Sequence, residues 1–238
     1  MKSKQEQLVS RGYLAEGMES EYPDKSLDEK IELLESEFPI DRTLGARLLV
    51  NSKSDKIIDC LINTLTVEKK LYCKIEICNS LVSCGQPSIK PLITILGQVG
   101  TNQYKKVPEK EFKKDSYPLP RDIAARTLVR FGPTALNELE NVLSSRDEKQ
   151  LSESIDAVGF ICFYDYNHDI YTKLADCYSK NDQNNLIRWK IIRAMSGVPE
   201  SKPFLQEQNK KIYNVRLQRE IKRSLLLIEK KSSRPVSS

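Results

Sequence analysis

Between Arg121 and Leu143 the apolar positions fall into two helical patterns. Ile123, Ala124, Thr127, Leu128 and Phe131 recur at three- and four-residue spacing. Gly132-Pro133 then closes one predicted helix and opens another, whose apolar side is Leu136, Leu139, Val142 and Leu143. Two short helices joined by a tight turn cannot bury their apolar faces alone, so they require like neighbours.

The rest of the chain supplies such neighbours. Ser26 with Glu29 reads as a capping box, followed by Leu27, Ile31, Leu34 and Phe38 on one face and a stop at Pro39. Asp41 is expected to begin the next helix, with Leu44, Leu48 and Leu49 inward. Ser54 or Asp55 caps another, carrying Ile57, Ile58, Leu61, Ile62 and Leu65. Tyr72–Val82 follows with Ile75, Cys78, Leu81 and Val82, then Gly85, then Ile89, Leu92, Ile93 and Leu96. After Arg121–Leu143 come Lys149–Phe163, Asp169–Tyr178, Leu186–Met195, Lys202–Gln208 and a long last helix, Val215–Ile228. Residues 98–120 interrupt the rhythm with neither helical nor strand period, three prolines and five lysines.

The copies align. Moving Arg121–Gly132 back by 47 residues brings Cys78, Leu81, Val82 and Gly85 onto Ala125, Leu128, Val129 and Gly132. Moving it back by 79 brings Arg42, Ala46, Arg47 and Leu49 onto Arg121, Ala125, Arg126 and Leu128. A shift of 32 forward brings Ala157, Phe160 and Ile161 onto Ala125, Leu128 and Val129. Periods of this size belong to helix-pair repeats. Ala125, Ala46, Cys78 and Ala157 are thereby assigned to close helix contacts.

The segments Arg121–Leu128, Phe131–Leu136 and Leu139, with Gly85–Leu92 as a second copy of the turn, resemble the HEAT-repeat proteins, especially the short bacterial type related to phycobilin-lyase repeats. The resemblance implies an all-α fold, an α-solenoid of HEAT-like helical hairpins, armadillo-like in character; the aligned period and the Gly-Pro turn lead to the expectation of a right-handed array of about five repeats. It spans residues 26–229, after a polar lead at 1–25 and before a tail at 230–238 expected to be disordered. It fails at the 98–120 insertion, and the usual Asp-Gly turn between units is missing. Most such proteins are scaffolds. The His-Glu pairs that hold iron in HEAT-like hydroxylases are absent.

Charge is distributed unevenly over the 238 residues. The chain carries net +5, yet residues 1–40 hold five basic and ten acidic side chains and residues 186–238 hold thirteen basic and four acidic. Such a gradient orients a protein toward a charged partner without naming it. The six cysteines form no CxxC pair and read as reduced thiols of a cytosolic protein. No apolar run reaches membrane length, and the N-terminal stretch is too polar for a secretory leader.

Candidate chemistry is sparse. His168, the one histidine, lies beside Asp165 and Asp169, which reads as a helix start before it reads as a metal site. Cys162 sits among Phe160, Ile161 and Phe163 and reads as core; Cys177 falls too far along its helix to meet His168. No Gly-rich phosphate loop occurs. No catalytic residue, cofactor or metal is therefore assigned, and the chain is expected not to be an enzyme.

Two binding readings remain. The first is a protein-binding scaffold that contacts an acidic partner through the insertion, with Tyr104, Phe112 and Tyr117 as anchors and Lys105, Lys106, Lys113 and Lys114 around them. Its bland counterpart is a linker whose aromatics fold back over a gap between repeats. The second is a nucleic-acid-binding solenoid, similar to the helical-repeat DNA glycosylases, using Arg188, Trp189, Arg193, Arg216, Arg219 and Arg223. Those glycosylases frame an acidic residue with tryptophans, and Trp189 stands alone. The bland reading of the same cations is a solvated outer face. The concave face expected from the non-core positions of the second helices, Lys56, Asp59, Asn63, Ser88, Lys90, Asn137, Glu138, Asn141, Thr172, Lys173 and Asp176, is mixed in charge, which favours protein over duplex DNA.

Overall fold

The computed structural model describes residues 4–22, 25–50, 54–165 and 169–233. All regular structure among them is helical, and the chain divides into two compact units at residue 100.

In the first unit α1 (Lys4–Val9) and an irregular stretch precede α2 (Leu27–Glu35), α3 (Pro39–Leu48), α4 (Asp55–Val67), α5 (Leu71–Cys84) and α6 (Ile89–Thr94). Helices α3 and α5 lie side by side in one row, and α2, α4 and α6 form a second row against them. Ser26 caps α2 through the expected box with Glu29. Pro39, expected to end that helix, instead occupies the first turn of α3, where its missing N–H is no loss. Helix α2 stops at Glu35, so Phe38 leaves its face and is largely exposed before α3. Ile75, assigned to an apolar face, also points outward, because the buried arc of α5 runs through Cys73, Ile77, Cys78, Ser80 and Leu81. Gly45 lets α2 and α3 close together: a Cβ there would lie 2.8 Å from Leu33 Cβ and 2.9 Å from Lys30 O.

The second unit repeats the scheme. Its helices are α7 (Ile123–Leu128), α8 (Pro133–Val142), α9 (Glu148–Tyr164), α10 (Ile170–Lys180), α11 (Asn185–Ala194), α12 (Lys202–Lys211) and α13 (Val215–Ser232). Helices α7, α9, α11 and α13 succeed one another in a first row, while α8, α10 and α12 pack behind α9, α11 and α13. The α10–α12 contact includes Tyr178 on Phe204, edge to face at 5.2 Å. Helix α13 continues to Ser232, three residues into the expected tail.

The repeat register appears in local conformation. Gly85 and Gly132, 47 residues apart, adopt φ of 81° and 56°, where a side chain is strained. Each is followed by a Pro in the first turn of the next helical segment. Ala46, Ala125 and Ala157 are all 0% exposed, and Cys78 is 5% exposed. First-row helices are also joined by one recurring device. Ser80 Oγ donates to Ala46 O at 2.6 Å, and Ser224 Oγ donates to Ile192 O at 2.9 Å. The outward positions named for the second helices are largely exposed, except Ser88, which is buried at the start of α6.

Candidate functional site

Helix α9 is buried around most of its circumference, and this includes Glu153 and Asp156. Charges survive in such a place only when paired and hydrogen-bonded. The pairing comes from α11. Lys190, 0% exposed, donates to Glu153 Oε1 at 2.8 Å and to Ser152 O at 3.0 Å, and lies 2.8 Å from Asp156 Oδ2. Burial disfavours the Lys190 charge, but the two carboxylates outweigh it and its pKa is raised. Burial also raises the Glu153 carboxyl, against the pull of Lys190.

One turn on, Arg193 makes a two-pronged contact with Glu220 of α13, Nε to Oε1 at 3.2 Å and Nη2 to Oε2 at 3.1 Å. Arg223 joins the same carboxylate at 2.9 Å. The planar guanidinium fits a carboxylate in this forked manner, which is why arginine suits buried pairs. Here again desolvation opposes the charge on Arg193 and Glu220 overcomes it, so the proton is held more tightly than usual. The first row of the second unit thus carries two buried ionic clusters, Lys190–Glu153–Asp156 and Arg193–Glu220–Arg223.

Residues 101–120 lie over these clusters as a strap. Arg223 Nη2 donates to the carbonyl oxygens of Lys114 at 3.0 Å and Ser116 at 2.8 Å. Arg126 Nε donates to Pro120 O at 3.0 Å, and Gln103 Nε2 donates to Asp122 Oδ2 at 2.8 Å. Asp122 uses its other oxygen to cap α7 through Ala125 N. Arg216 contacts Val107 O at 3.4 Å and Glu109 at 3.6 Å, and Lys230 pairs with Asp115 at 2.6 Å.

The strap aromatics face inward. Tyr104 stands edge-on to Trp189 at 5.3 Å, with Arg121 4.4 Å over its ring. Phe112 receives Arg223 at 5.0 Å and Arg193 at 6.0 Å. Tyr117 is 3% exposed and clusters with Phe160, Phe163 and Leu227. Its ring fills the space a Cβ on Gly159 would take, a space further bounded by Ala194 Cα at 2.8 Å. The Tyr117 hydroxyl has no hydrogen-bond partner among the described residues. Its pKa stands well above the ordinary value, because burial and the neighbouring Asp156 charge both oppose ionisation.

The lysines face outward: Lys105, Lys106, Lys110, Lys113 and Lys114 are all exposed. The insertion therefore divides by residue type, aromatics onto the helices and cations into solvent. Of the residues considered for nucleic acid, Trp189, Arg193 and Arg223 are buried in the clusters. The solvated outer face expected for Arg193 and Arg223 is thereby corrected, since Glu220 draws both inward. Arg188 stacks on Tyr178 at 4.4 Å, while Arg216, Arg219 and Lys222 are exposed.

Neither Cys162 nor Cys177 is activated as a nucleophile. Burial pushes the Cys162 thiol up to about 12 and the Cys177 thiol to about 11, opposite to what a reactive cysteine needs. Among the described residues no group of three His, Cys, Asp or Glu side chains converges on a possible metal ion. No helix among them is long and apolar enough to cross a membrane. His168 lies outside the described residues.

The buried clusters escape sequence reasoning because a lone Lys or Arg at helical spacing reads as solvent-facing. One signal was present: Lys190 is flanked by Ile187, Trp189, Ile191 and Ile192, which leaves its helix little polar face.

No family model matches the chain, and no curated protein matches it. Among solved structures, an engineered protein aligns with 87% of this chain and 97% of its own at 15% identity and a TM-score of 0.38. A designed armadillo repeat protein aligns with 85% of this chain and 100% of its own at 13% identity and a TM-score of 0.39. At such scores the α-solenoid assignment rests on the helix rows described above.

Proposed function

We propose that this chain is a non-catalytic, HEAT-like protein-interaction scaffold of the cytosol, and that it receives an acidic protein segment on the lysine ridge of the 98–120 insertion. The observation that carries this reading is the division within the strap. Tyr104, Phe112 and Tyr117 anchor it from beneath, so Lys105, Lys106, Lys113 and Lys114 are held on an ordered backbone instead of a floppy loop. A surface ordered before binding loses less entropy when a partner arrives. The aromatic residues serve the ridge as its foundation; the contact itself is cationic and steers an acidic surface into place. Six free cysteines agree with a reducing compartment.

The test reverses Lys105, Lys106, Lys113 and Lys114 to glutamate in the full chain. All four are exposed, so the far-ultraviolet spectrum and melting should stay near wild type. Co-purification at physiological salt, compared between wild type and variant, should lose its acidic partners. An unchanged set of partners defeats the proposal.

The nucleic-acid reading retains one favourable observation: Arg216, Arg219 and Lys222 are exposed on α13, though Glu109, Glu111 and Glu220 share the recess that the two arginines line. A gel shift at low salt that vanishes in the Arg216→Ala, Arg219→Ala, Lys222→Ala triple variant would favour it.

A further inference from the structure

The last helix of the second unit has an exposed face. On α13 the residues Val215, Arg219, Lys222 and Leu226 fall at i, i+4, i+7 and i+11, which places them on one stripe. All four are exposed, Val215 and Leu226 at 56% each. The opposite arc, through Leu217, Glu220, Ile221, Ser224 and Ile228, is buried against the preceding helices. This stripe has the composition of an interface, with apolar residues at both ends and two cations between them.

The opposite charge stands on the first helix of the first unit's second row. Asp28, Glu32 and Glu35 fall at i, i+4 and i+7 on α2 and are exposed. Leu27 beside them is 39% exposed. Asp28 makes one solvent-exposed contact, to Lys56 at 3.3 Å. The charge imbalance of the whole sequence concentrates in these two regions, ten acidic against five basic residues at 1–40 and thirteen basic against four acidic at 186–238.

We infer that the occupant of the α13 stripe is α2 of a second copy of this chain. Arg219 and Lys222 of one copy face the Asp28, Glu32 and Glu35 carboxylates of the next, and one apolar end of the stripe covers Leu27. A symmetric pair using one stripe twice would set like charges against each other, so the stripe meets α2 and not a second α13. The contact closes as a two-fold pair where it is made reciprocally and extends into rings or open chains where it is not. This inference uses neither the strap nor its lysines, and it stands or falls separately from the partner proposed above.

Sedimentation velocity on the full chain tests it. The weight-average mass should rise with concentration at low salt from the 27.3 kDa monomer to at least twice that value. It should fall back at high salt, as exposed charge pairs are screened. The R219E/K222E variant should remain monomeric, and so should E32K/E35K. An equimolar mixture of the two should associate again, because each then offers the other a helix of opposite charge. Circular dichroism confirms that both variants fold. A wild-type mass that stays at 27.3 kDa throughout, growth that the reversed charges leave unchanged, or a mixture that fails to recover association overturns the inference.

Discussion

The two units fasten an irregular segment to their first-row helices by the same means but at different depths. In the first unit Arg47 on α3 donates to Ala15 O at 2.8 Å and Leu14 O at 3.2 Å, and pairs with Glu19 and Glu76. In the second, Arg126 on α7 donates to Pro120 O. Arg47 and Arg126 are the residues that a shift of 79 superposes. The same repeat position therefore catches the carbonyls of whatever chain precedes the helix. The depth differs within the second unit as well. Arg47 is 18% exposed at its side chain and Arg126 is exposed, whereas the strap has a further, buried fastening: Arg223, which holds the Lys114 and Ser116 carbonyls, is 8% exposed at its side chain and its partner Glu220 5%. Water can replace a partner lost from the shallower fastenings, but not one lost from the buried one. An ion pair broken in the interior leaves an uncompensated charge, which costs far more than the intact pair contributes.

The sharpest break of this comparison is Glu220→Ala. It leaves Arg193 and Arg223 buried without their carboxylate and should destabilise the second unit by about 3–5 kcal/mol. Trp189 is the only tryptophan of the chain, so its fluorescence follows that unit alone through urea unfolding. A midpoint equal to wild type would mean that the cluster does not hold the row together. Next in size are Ala46→Leu and Ala125→Leu, each expected to cost about 1–3 kcal/mol by overpacking. Both positions are fully buried, and similar losses in calorimetry would show that the repeat register has the same packing meaning in each unit. A loss at one position alone would separate them.

The register was legible because it rests on glycine and alanine. Gly132 and Gly85 mark turns that need positive φ, and Ala125 and Ala46 mark contacts that admit no larger side chain. Such constraints act on single residues and show in any one copy. The strap was legible as an interruption, from its prolines and missing period, but the direction of its aromatics was not. Tyr117 turns inward because Gly159, forty-two residues later, leaves room for its ring. The ionic clusters were least legible. Lys190 needs Glu153 and Asp156, thirty-seven and thirty-four residues earlier, and helical spacing cannot tell that pairing from a solvated face. Local constraints reveal the scaffold, and long-range pairing decides which charges remain on the surface.

Arg47→Ala is the milder counterpart of Glu220→Ala. It removes two carbonyl contacts and two partly exposed ion pairs, and should cost the first unit about 1–2 kcal/mol. Hydrogen exchange should quicken at residues 12–19 while the peptides of α4 keep their protection. Loss of protection throughout the first unit would show that the segment is integral to its core instead of fastened onto it.

The smallest expected effect distinguishes the units by pH. Arg42 of α3 grips Glu68 through Nε to Oε2 at 2.6 Å and Nη2 to Oε1 at 3.1 Å, and the amides of Lys69 and Lys70 donate to the same carboxylate at 2.7 Å each. Burial works against the Glu68 charge, yet these donors outweigh it and its pKa is lowered. A carboxyl whose folded value is depressed contributes stability above its unfolded value, about 4.3, and loses that stability as pH falls through the folded value. Glu153 in the second unit has the opposite sign. Its folded value is raised, so its contribution is complete below the unfolded value and is lost as pH rises through the folded one. Acidification from pH 6 toward about 3 should therefore weaken the α4–α5 turn through Glu68, while Glu153 works in favour of the second unit. After correction for the pH dependence of intrinsic exchange, amides 69–74 should lose protection in the wild type as the acid is added. Glu68→Gln should begin less protected and change little. If wild type and variant respond to acid alike, the fastening of α3 to that turn does not depend on the charge of Glu68, and the contrast between the units is one of burial alone.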